Sequence, residues 1–444
     1  MNGAKQSVAL QVLRTFKERL LSGFVWNLVS TVTMQGSVLI TGVILARVVS
    51  FEAFGVYAVL TTTVMTAASV AQGAVGLTSA KFVGEWLHGQ PMRVARLLRI
   101  CAVFTMTMGV VAATLLIVLS SFIAQDVLGK PQVTTHLRWV AVAVMFHVMV
   151  TFQYGALQGF GAFRAISRAA SASGGAHLLL SCLGAWKGGL DGAVIAFAIS
   201  AFLRWWFFRQ ALHHIAALHK IPPATKTEPE DWRLLWTFAL PASLPGFLTL
   251  PCMWGVMALV ARQPDGLAWV ALFAVAHQLR QMVLQLPTVL NTVSFSVLSR
   301  LKGQGTIKEF WKVFWTNMGI SLGISTLLVA TLSWLSEPVL MLYGSSFVEG
   351  RSLLLILMLS VLPEIAGLTA YQLVQSAGRM WRSLFFIVGP RDLAYLGLAA
   401  ILIPTYGLVG AGGAYALAQL YSCMATVAVV RGFAPTRAAS AASI

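Results

Sequence analysis

Acidic side chains are scarce in this chain: 14 Asp and Glu stand against 31 Lys and Arg in 444 residues, a formal charge of +17. Charged residues of both signs make up only 10% and hydrophobic ones 58%, which excludes a soluble globular protein and indicates many membrane crossings. The surplus of positive charge does not argue for nucleic acid, because the basic residues lie in short clusters between apolar runs rather than on one polar face. Cysteine is equally sparing. Cys101, Cys182, Cys252 and Cys423 each sit inside an apolar run with no paired spacing, which excludes a disulfide framework and a zinc site. A GxxxxGK[ST] phosphate loop is missing, as is any soluble stretch large enough to hold a nucleotide. No Ser-His-Asp set, paired carboxylates or Asp-rich loop stands out, so neither an enzyme nor a cofactor is expected.

What the chain does have is apolar length. Twelve segments, at about 22–46, 54–80, 97–121, 136–158, 169–187, 190–208, 234–260, 267–298, 313–335, 352–376, 383–402 and 408–430, mostly reach the ~20 residues of a spanning helix. Ahead of them, residues 1–21 carry Lys5, Arg14, Lys17 and Arg19, with Ala9, Val12, Leu13, Phe16 and Leu20 on one helical face, the pattern of an interfacial amphipathic helix. Residues 213–233, with their prolines and charges, read as a linker dividing six spans (22–212) from six (234–430), and 431–444 as a tail. When connections are assigned alternately to opposite sides, the amino-terminal side collects 23 basic residues and the other side six. The positive-inside rule therefore places both termini and the linker in the cytoplasm.

The two halves repeat each other. Leu45-Ala-Arg47 recurs as Val260-Ala-Arg262, Lys81 as Arg300, Gln158-Gly-Phe-Gly161 as Gln375-Ser-Ala-Gly378, and Gly189-Leu-Asp-Gly-Ala193 as Gly407-Leu-Val-Gly-Ala411, always 215 to 219 residues on. A constant offset argues for a duplicated unit. With an even number of spans per unit, the fold expected is an all-α polytopic membrane protein of about twelve helices in two parallel six-helix repeats around a central cavity.

Against this apolar background a few polar residues need a reason. Arg280 stands in the middle of Ala276-His-Gln-Leu-Arg-Gln-Met-Val-Leu-Gln-Leu-Pro287, and His277, Gln281, Leu284, Thr288 and Asn291 share its helical face, a stripe expected to face something wet. A cation at that depth costs roughly 2.5–3.5 kcal/mol on insertion scales, so it usually meets a cavity, a partner or a substrate. Glu364, in Leu362-Pro-Glu-Ile365, reads either as a partner of Arg280 or as a protonated structural acid. Arg391 and Asp392, in Gly389-Pro-Arg-Asp-Leu393, read either as a polar pocket at a proline kink or as a local neutralisation. Arg47 and Arg262 close spans one and seven on the sparsely basic side, at equivalent repeat positions, as an outer-mouth attraction for anionic headgroups or as snorkelling side chains. His147 and His177 are single histidines without metal spacing and read as packed side chains.

Leu45-Ala-Arg-Val-Val-Ser-Phe-Glu-Ala-Phe-Gly-Val-Tyr-Ala58 resembles the segment joining the first two helices of polysaccharide exporters and O-antigen flippases in the multidrug/oligosaccharidyl-lipid/polysaccharide exporter superfamily. Phe238-Ala-Leu-Pro241, Leu286-Pro287 with Leu298-Ser-Arg300, and Pro404-Thr-Tyr-Gly-Leu-Val-Gly-Ala411 match the same pattern in order, although Phe295-Ser-Val-Leu298 replaces a proline usual there. The resemblance implies a lipid-linked oligosaccharide on undecaprenyl diphosphate, flipped to the periplasmic leaflet of a bacterial inner membrane by alternating access. It also implies membrane lipids, and a polymerase and glycosyltransferases of the same pathway, as partners. Cavity arginines in the family are thought to meet the anionic substrate, a role that Arg280 and Arg391 match by depth, with His277, Gln281, Asp392 and Glu364 around them.

Two other readings have less support. A cation-drug antiporter of the same superfamily needs an acid in mid-membrane in the first six spans, where Asp191 sits only at a span edge. An oligosaccharide polymerase or ligase needs a large outer loop, and 122–135 and 336–351 are short. The orientation is open to a direct check. Cysteines introduced at Thr225 or Thr227 of the linker should resist a membrane-impermeant thiol reagent in intact cells and react after permeabilisation; labelling in intact cells would reverse the topology.

Overall fold

The computed structural model describes residues 26, 29–87, 89–224, 228, 232, 233, 237, 239, 243, 246–303, 307–376 and 380–431. The expected interfacial helix 1–21, most of 225–245 and the tail beyond 431 lie outside them. The main helices are α1 Val29–Val48, α2 Phe51–Ala71, α3 Val75–Trp86, α4 Pro91–Phe122, α5 Thr134–Gly159, α6 Phe163–Leu218, α7 Gly246–Ala261, α8 Gly266–Gly303, α9 Ile307–Trp334, α10 Ser336–Tyr343, α11 Arg351–Ser376 and α12 Gly389–Arg431. No strand occurs among the described residues.

Nine described stretches are long and apolar enough to cross a membrane. Two of them, Phe163–Leu218 with 56 residues and Trp381–Val430 with 50, are more than twice the ~20 residues that one crossing takes. Each is broken by a glycine in non-helical backbone, Gly189 (φ 55°, ψ −130°) and Gly407 (φ 60°, ψ −140°). Each therefore holds two crossings joined without a loop. With the shorter apolar helix Phe247–Ala261, the described chain has the twelve crossings that its hydropathy indicates.

The duplication is visible in the elements themselves. Helices α5 (Thr134–Gly159) and α11 (Arg351–Ser376) both have 26 residues and start and stop 217 apart. The starts of α2 and α8 lie 215 apart, and the two kink glycines 218 apart. The chain is a membrane protein of two six-crossing repeats. One sequence expectation is refined: the second segment, read as continuous, is divided into α2 and α3 where Gly73 (φ 52°) and Ala74 (φ 51°) turn left-handed. The matching place in the second half is Pro287, carried inside an unbroken α8.

The chain forms two compact units: Met1–Val48, Thr63–Ser121 and Thr134–Ser243 in the first, and Val49–Thr62, Phe122–Val133 and Leu244–Ile444 in the second. In the first, Gly155 and Gly159 bring α5 against α3, where an added Cβ would meet the Gly76 carbonyl oxygen at 2.0 Å and Val83 Cβ at 2.7 Å. This is close small-residue packing of the kind that joins helices in lipid. In the second, α11 packs on α12 and α8 packs on both α9 and α11. Phe51 and Phe54 of α2 meet Phe347 edge-on, with ring centres 4.9 and 5.6 Å away, and Gly55 lets the backbone of α2 rest on Leu267. The quoted family motif is thus a packing motif.

The backbone at Gly407 is a conformation that only glycine adopts readily, and an added Cβ there would also meet the Trp269 ring at 3.1 Å. Gly407→Ala should destabilise the purified protein by roughly 1–3 kcal/mol. Gly413→Ala, in open space on the same helix, should be neutral or mildly stabilising. Thermal melting in detergent distinguishes the two, and equal melting would remove the special status of the kink.

Candidate functional site

The polar stripe of α8 carries the most fully buried charged side chain among the described residues of the second unit. Arg280 lies just past the middle of the 26-residue span Gly266–Asn291 and is only 1% exposed. Its Nη1 donates to Glu364 Oε2 on α11, forming an ion pair. Tyr415 of α12 lies under the guanidinium, with Arg280 Cζ 4.4 Å from the ring centre, and shares its hydroxyl proton between the two Glu364 oxygens at 3.1 Å each. Tyr395 packs edge-on against Tyr415 at 5.2 Å. The pairing resolves the two readings of Glu364 in favour of a partner for Arg280.

One turn back on α8, His277 sits 3.4 Å from Arg280 Nη2 and accepts from it, while Gln281 Nε2 lies 3.3 Å from His277 Nε2. Phe273 stacks on the imidazole at 6.0 Å. The face expected to be wet is therefore filled by its own partners, because α11 and α12 supply a carboxylate and an aromatic face. The satisfaction is incomplete. Among the described residues, Arg280 Nε has no acceptor, and a buried donor left unmade costs about 1–3 kcal/mol. At the far end of the stripe, Asn291 accepts from Asn317 of α9 (2.8 Å) and Thr369 of α11 (3.2 Å), which ties three helices together.

Arg391 and Asp392 are drawn together with Thr249 of α7. Arg391 Nε donates to Asp392 Oδ1 at 2.8 Å, Arg391 Nη2 to Thr249 Oγ1 at 3.1 Å, and Thr249 to Asp392 Oδ2 at 2.7 Å. The local neutralisation is what the structure contains, and adjacent residues manage it because a third residue completes the ring. In place of the expected proline kink, a single π-turn, Leu384–Val388, precedes Pro390. The outer-mouth arginines have separate settings. Arg262 donates to the Asp126 carbonyl, and Arg47 is exposed at the end of α1. Arg351, also on the sparsely basic side, bonds Ser336 Oγ (3.2 Å) and Glu337 (3.2 Å), much as Arg138 bonds Ser120 Oγ (3.0 Å) in the first unit.

Sequence reasoning sets His147 and His177 apart as packed side chains and counts Arg204 among the basic residues of the amino-terminal side. In the first unit the three line one cavity of about 90 Å³ with Ser37, Ser173 and Ser200. Arg204 is legible in the sequence only as a basic residue near a span end. Side chains on a helix lean toward its amino terminus, so Arg204 leans back toward the Gly189 end and away from Leu218.

The family described as "Polysaccharide biosynthesis protein" matches residues 20–302. The chain belongs to that family. This polysaccharide biosynthesis protein is 25% identical over 419 residues, 91% of each chain, to the EPS I polysaccharide export inner membrane protein EpsE of Ralstonia nicotianae. Its fold is similar to that of a multidrug resistance MATE family transporter of the MOP superfamily in an inward-facing conformation (TM-score 0.78, 14% identity, 93% of this chain and 98% of that one). It is also similar to a MOP superfamily transporter from Pyrococcus furiosus (TM-score 0.70, 16% identity, 94% and 95%). At such identities the structural likeness establishes the fold alone.

Removing one partner of a buried ion pair strands the other, at about 3–5 kcal/mol. Glu364→Ala should therefore lower the melting temperature of the purified protein markedly, and Arg280→Met combined with Glu364→Leu should recover most of the loss. If the double variant melts no higher than Glu364→Ala, the pair does not set the stability of this region.

Proposed function

We propose that this protein is the flippase of a surface-polysaccharide pathway in the bacterial inner membrane, moving an oligosaccharide carried on undecaprenyl diphosphate from the cytoplasmic to the periplasmic leaflet by alternating access. Both termini and the 213–233 linker face the cytoplasm in this reading, and the lobes 22–212 and 234–430 are the moving parts. The observation that carries it is Arg280: a guanidinium at mid-membrane depth, 1% exposed, with one donor, Nε, unclaimed. A diphosphate offers several charged acceptors in the fork geometry that arginine matches best. Glu364 then acts as a stand-in anion that holds Arg280 charged and inserted until the substrate's phosphates compete for it.

Family membership and the EpsE relative, named as a polysaccharide export inner membrane protein, support this reading. Gln281 and His277 are the further polar groups beside Arg280, the imidazole standing there as an acceptor of an Arg280 N–H. The work is transport rather than bond breaking, with membrane lipids around it and the polymerase and glycosyltransferases of the pathway on either side of the step.

The test has to keep a charge from being stranded. Arg280→Ala paired with Glu364→Gln leaves a neutral centre, which should insert and fold at normal abundance yet abolish surface polysaccharide and trap lipid-linked oligosaccharide in the cytoplasmic leaflet. Arg280→Lys alone should retain part of the export if the guanidinium serves as a point charge, and little if it grips two phosphate oxygens at once. Normal polysaccharide from the double variant would remove Arg280 from the substrate path.

A further inference from the structure

Three of the chain's 14 acids, Glu228, Glu230 and Asp231, fall within four residues of the 213–233 linker. From His219 to Arg233 that linker contains three prolines and neither glycine nor serine. Such a composition makes a semi-rigid extended spacer, where a flexible tether would be rich in glycine and serine. Neither feature is needed merely to join two lobes.

The described residues of the linker are fastened to the first unit by apolar and polar anchors in turn. Beyond the end of α6 at Leu218 the backbone turns left-handed at Lys220 (φ 53°). Ile221 then packs against the buried cluster that includes Val83 of α3, Leu97 of α4, Ala156 of α5 and Phe208 of α6. The carbonyl of Ala224 accepts from Arg99 Nη1, and Glu228 Oε1 pairs with Arg96 Nη1. Trp232 returns to the same apolar cluster, and Ala239 is buried within it. The first compact unit accordingly runs on to Ser243, past the whole linker.

The amino end of α4 explains why an acid is held there. Arg93, Arg96 and Arg99 crowd its first turns, and its first turn contains no acid. That end of a helix carries the positive pole of the backbone dipole, where cations are unfavourable and an anion is favoured. Arg93 turns aside over the Trp86 ring at 5.9 Å, and Glu85 of α3 is engaged by Lys81 at 4.0 Å. The carboxylate that answers Arg96 comes from the linker. With side chains 18% and 54% exposed, the pair is weak by itself, so the linker is held by the series of anchors and Glu228 fixes its register on α4.

We propose that the linker is a strap, clasped to α4 by Arg96–Glu228 and Arg99–Ala224, that moves as part of the first unit, and that export requires it fastened. The role in export rests on the flippase reading; the fastening does not.

Lys226 lies between the two clasp points, so cleavage after it reports opening of the strap. In the full-length protein in detergent, trypsin should cut there slowly. Glu228→Lys sets a cation against Arg96 and adds no trypsin site, because Pro229 follows; it should be cut about fivefold faster or more, the size of one exposed ion pair turned repulsive. Surface polysaccharide should fall at unchanged membrane abundance. Arg96→Glu combined with Glu228→Lys should restore both the resistance and the polysaccharide. The melting temperature of Glu228→Lys should stay near that of the parent, since the pair lies at the surface. If it drops sharply, Glu228→Gln decides the point: it should fold and be cut at an intermediate rate, and parent-like cleavage would overturn the proposal. Equal cleavage of the parent and Glu228→Lys would overturn it too, as would a charge-swapped variant that stays as open as Glu228→Lys, or faster cleavage with normal polysaccharide. The flippase reading is judged separately, in a strain lacking this protein. If polysaccharide persists there while Glu228→Lys still opens at Lys226, that reading fails and the fastening stands.

Discussion

A guanidinium in the hydrocarbon layer has to be answered by another charge or by a ligand, and the second unit is arranged around that requirement. Arg280 comes from α8, its carboxylate from α11 and the aromatic face beneath it from α12, so three helices that are distant in sequence are held in register by one electrostatic centre. In water such a pair would contribute little. At this depth the desolvated charges attract strongly, and separating them strands a bare ion. The neighbouring features follow: Tyr415 completes the carboxylate, Tyr395 braces Tyr415, and His277 fills the remaining side of the guanidinium.

Duplication supplied the second copy of this scaffold, and the copies have diverged in charge logic. One is self-neutralised, acid against base. The other contains a half-buried arginine and two imidazoles with no acid beside them among the described residues. The matching helix lengths and kink positions hold the backbone constant, so the change of character lies in a handful of side chains. A repeated fold can in this way hold its backbone constant while its two copies diverge in charge.

Much of this is legible in the sequence because lipid enforces simple rules. Apolar runs of crossing length define the span count, a fixed offset defines the repeat, and an arginine in an apolar run cannot be overlooked. Glu364 is readable as one of two possibilities because it is the only acid of its kind nearby. What a sequence does not carry is direction. Arg204 looks like an ordinary basic residue near the end of a crossing, and its course back toward the Gly189 end depends on the lean of helical side chains and on having α5 and α1 as neighbours. The division of α2 from α3 at Gly73 and Ala74 is also hidden, since hydropathy runs straight through a backbone break. Arg391 and Asp392 look like poor partners because adjacent helical residues diverge, and the missing piece is Thr249, 142 residues away.

The glycine kinks have a mechanical consequence. At Gly189 and Gly407 one crossing passes directly into the next, with no loop to absorb movement. Each such pair has the stiffness of a bent rod rather than of two rods on a string. A tilt imposed on one arm must appear in the other at once, with the opposite sense at the far end. In the first unit the arms of that rod hold His177 on one side and Arg204 on the other. Any rocking of the hairpin therefore carries those two side chains together, as a pair, past Met34 of α1, Met65 of α2 and His147 of α5 on the opposite wall of the cavity.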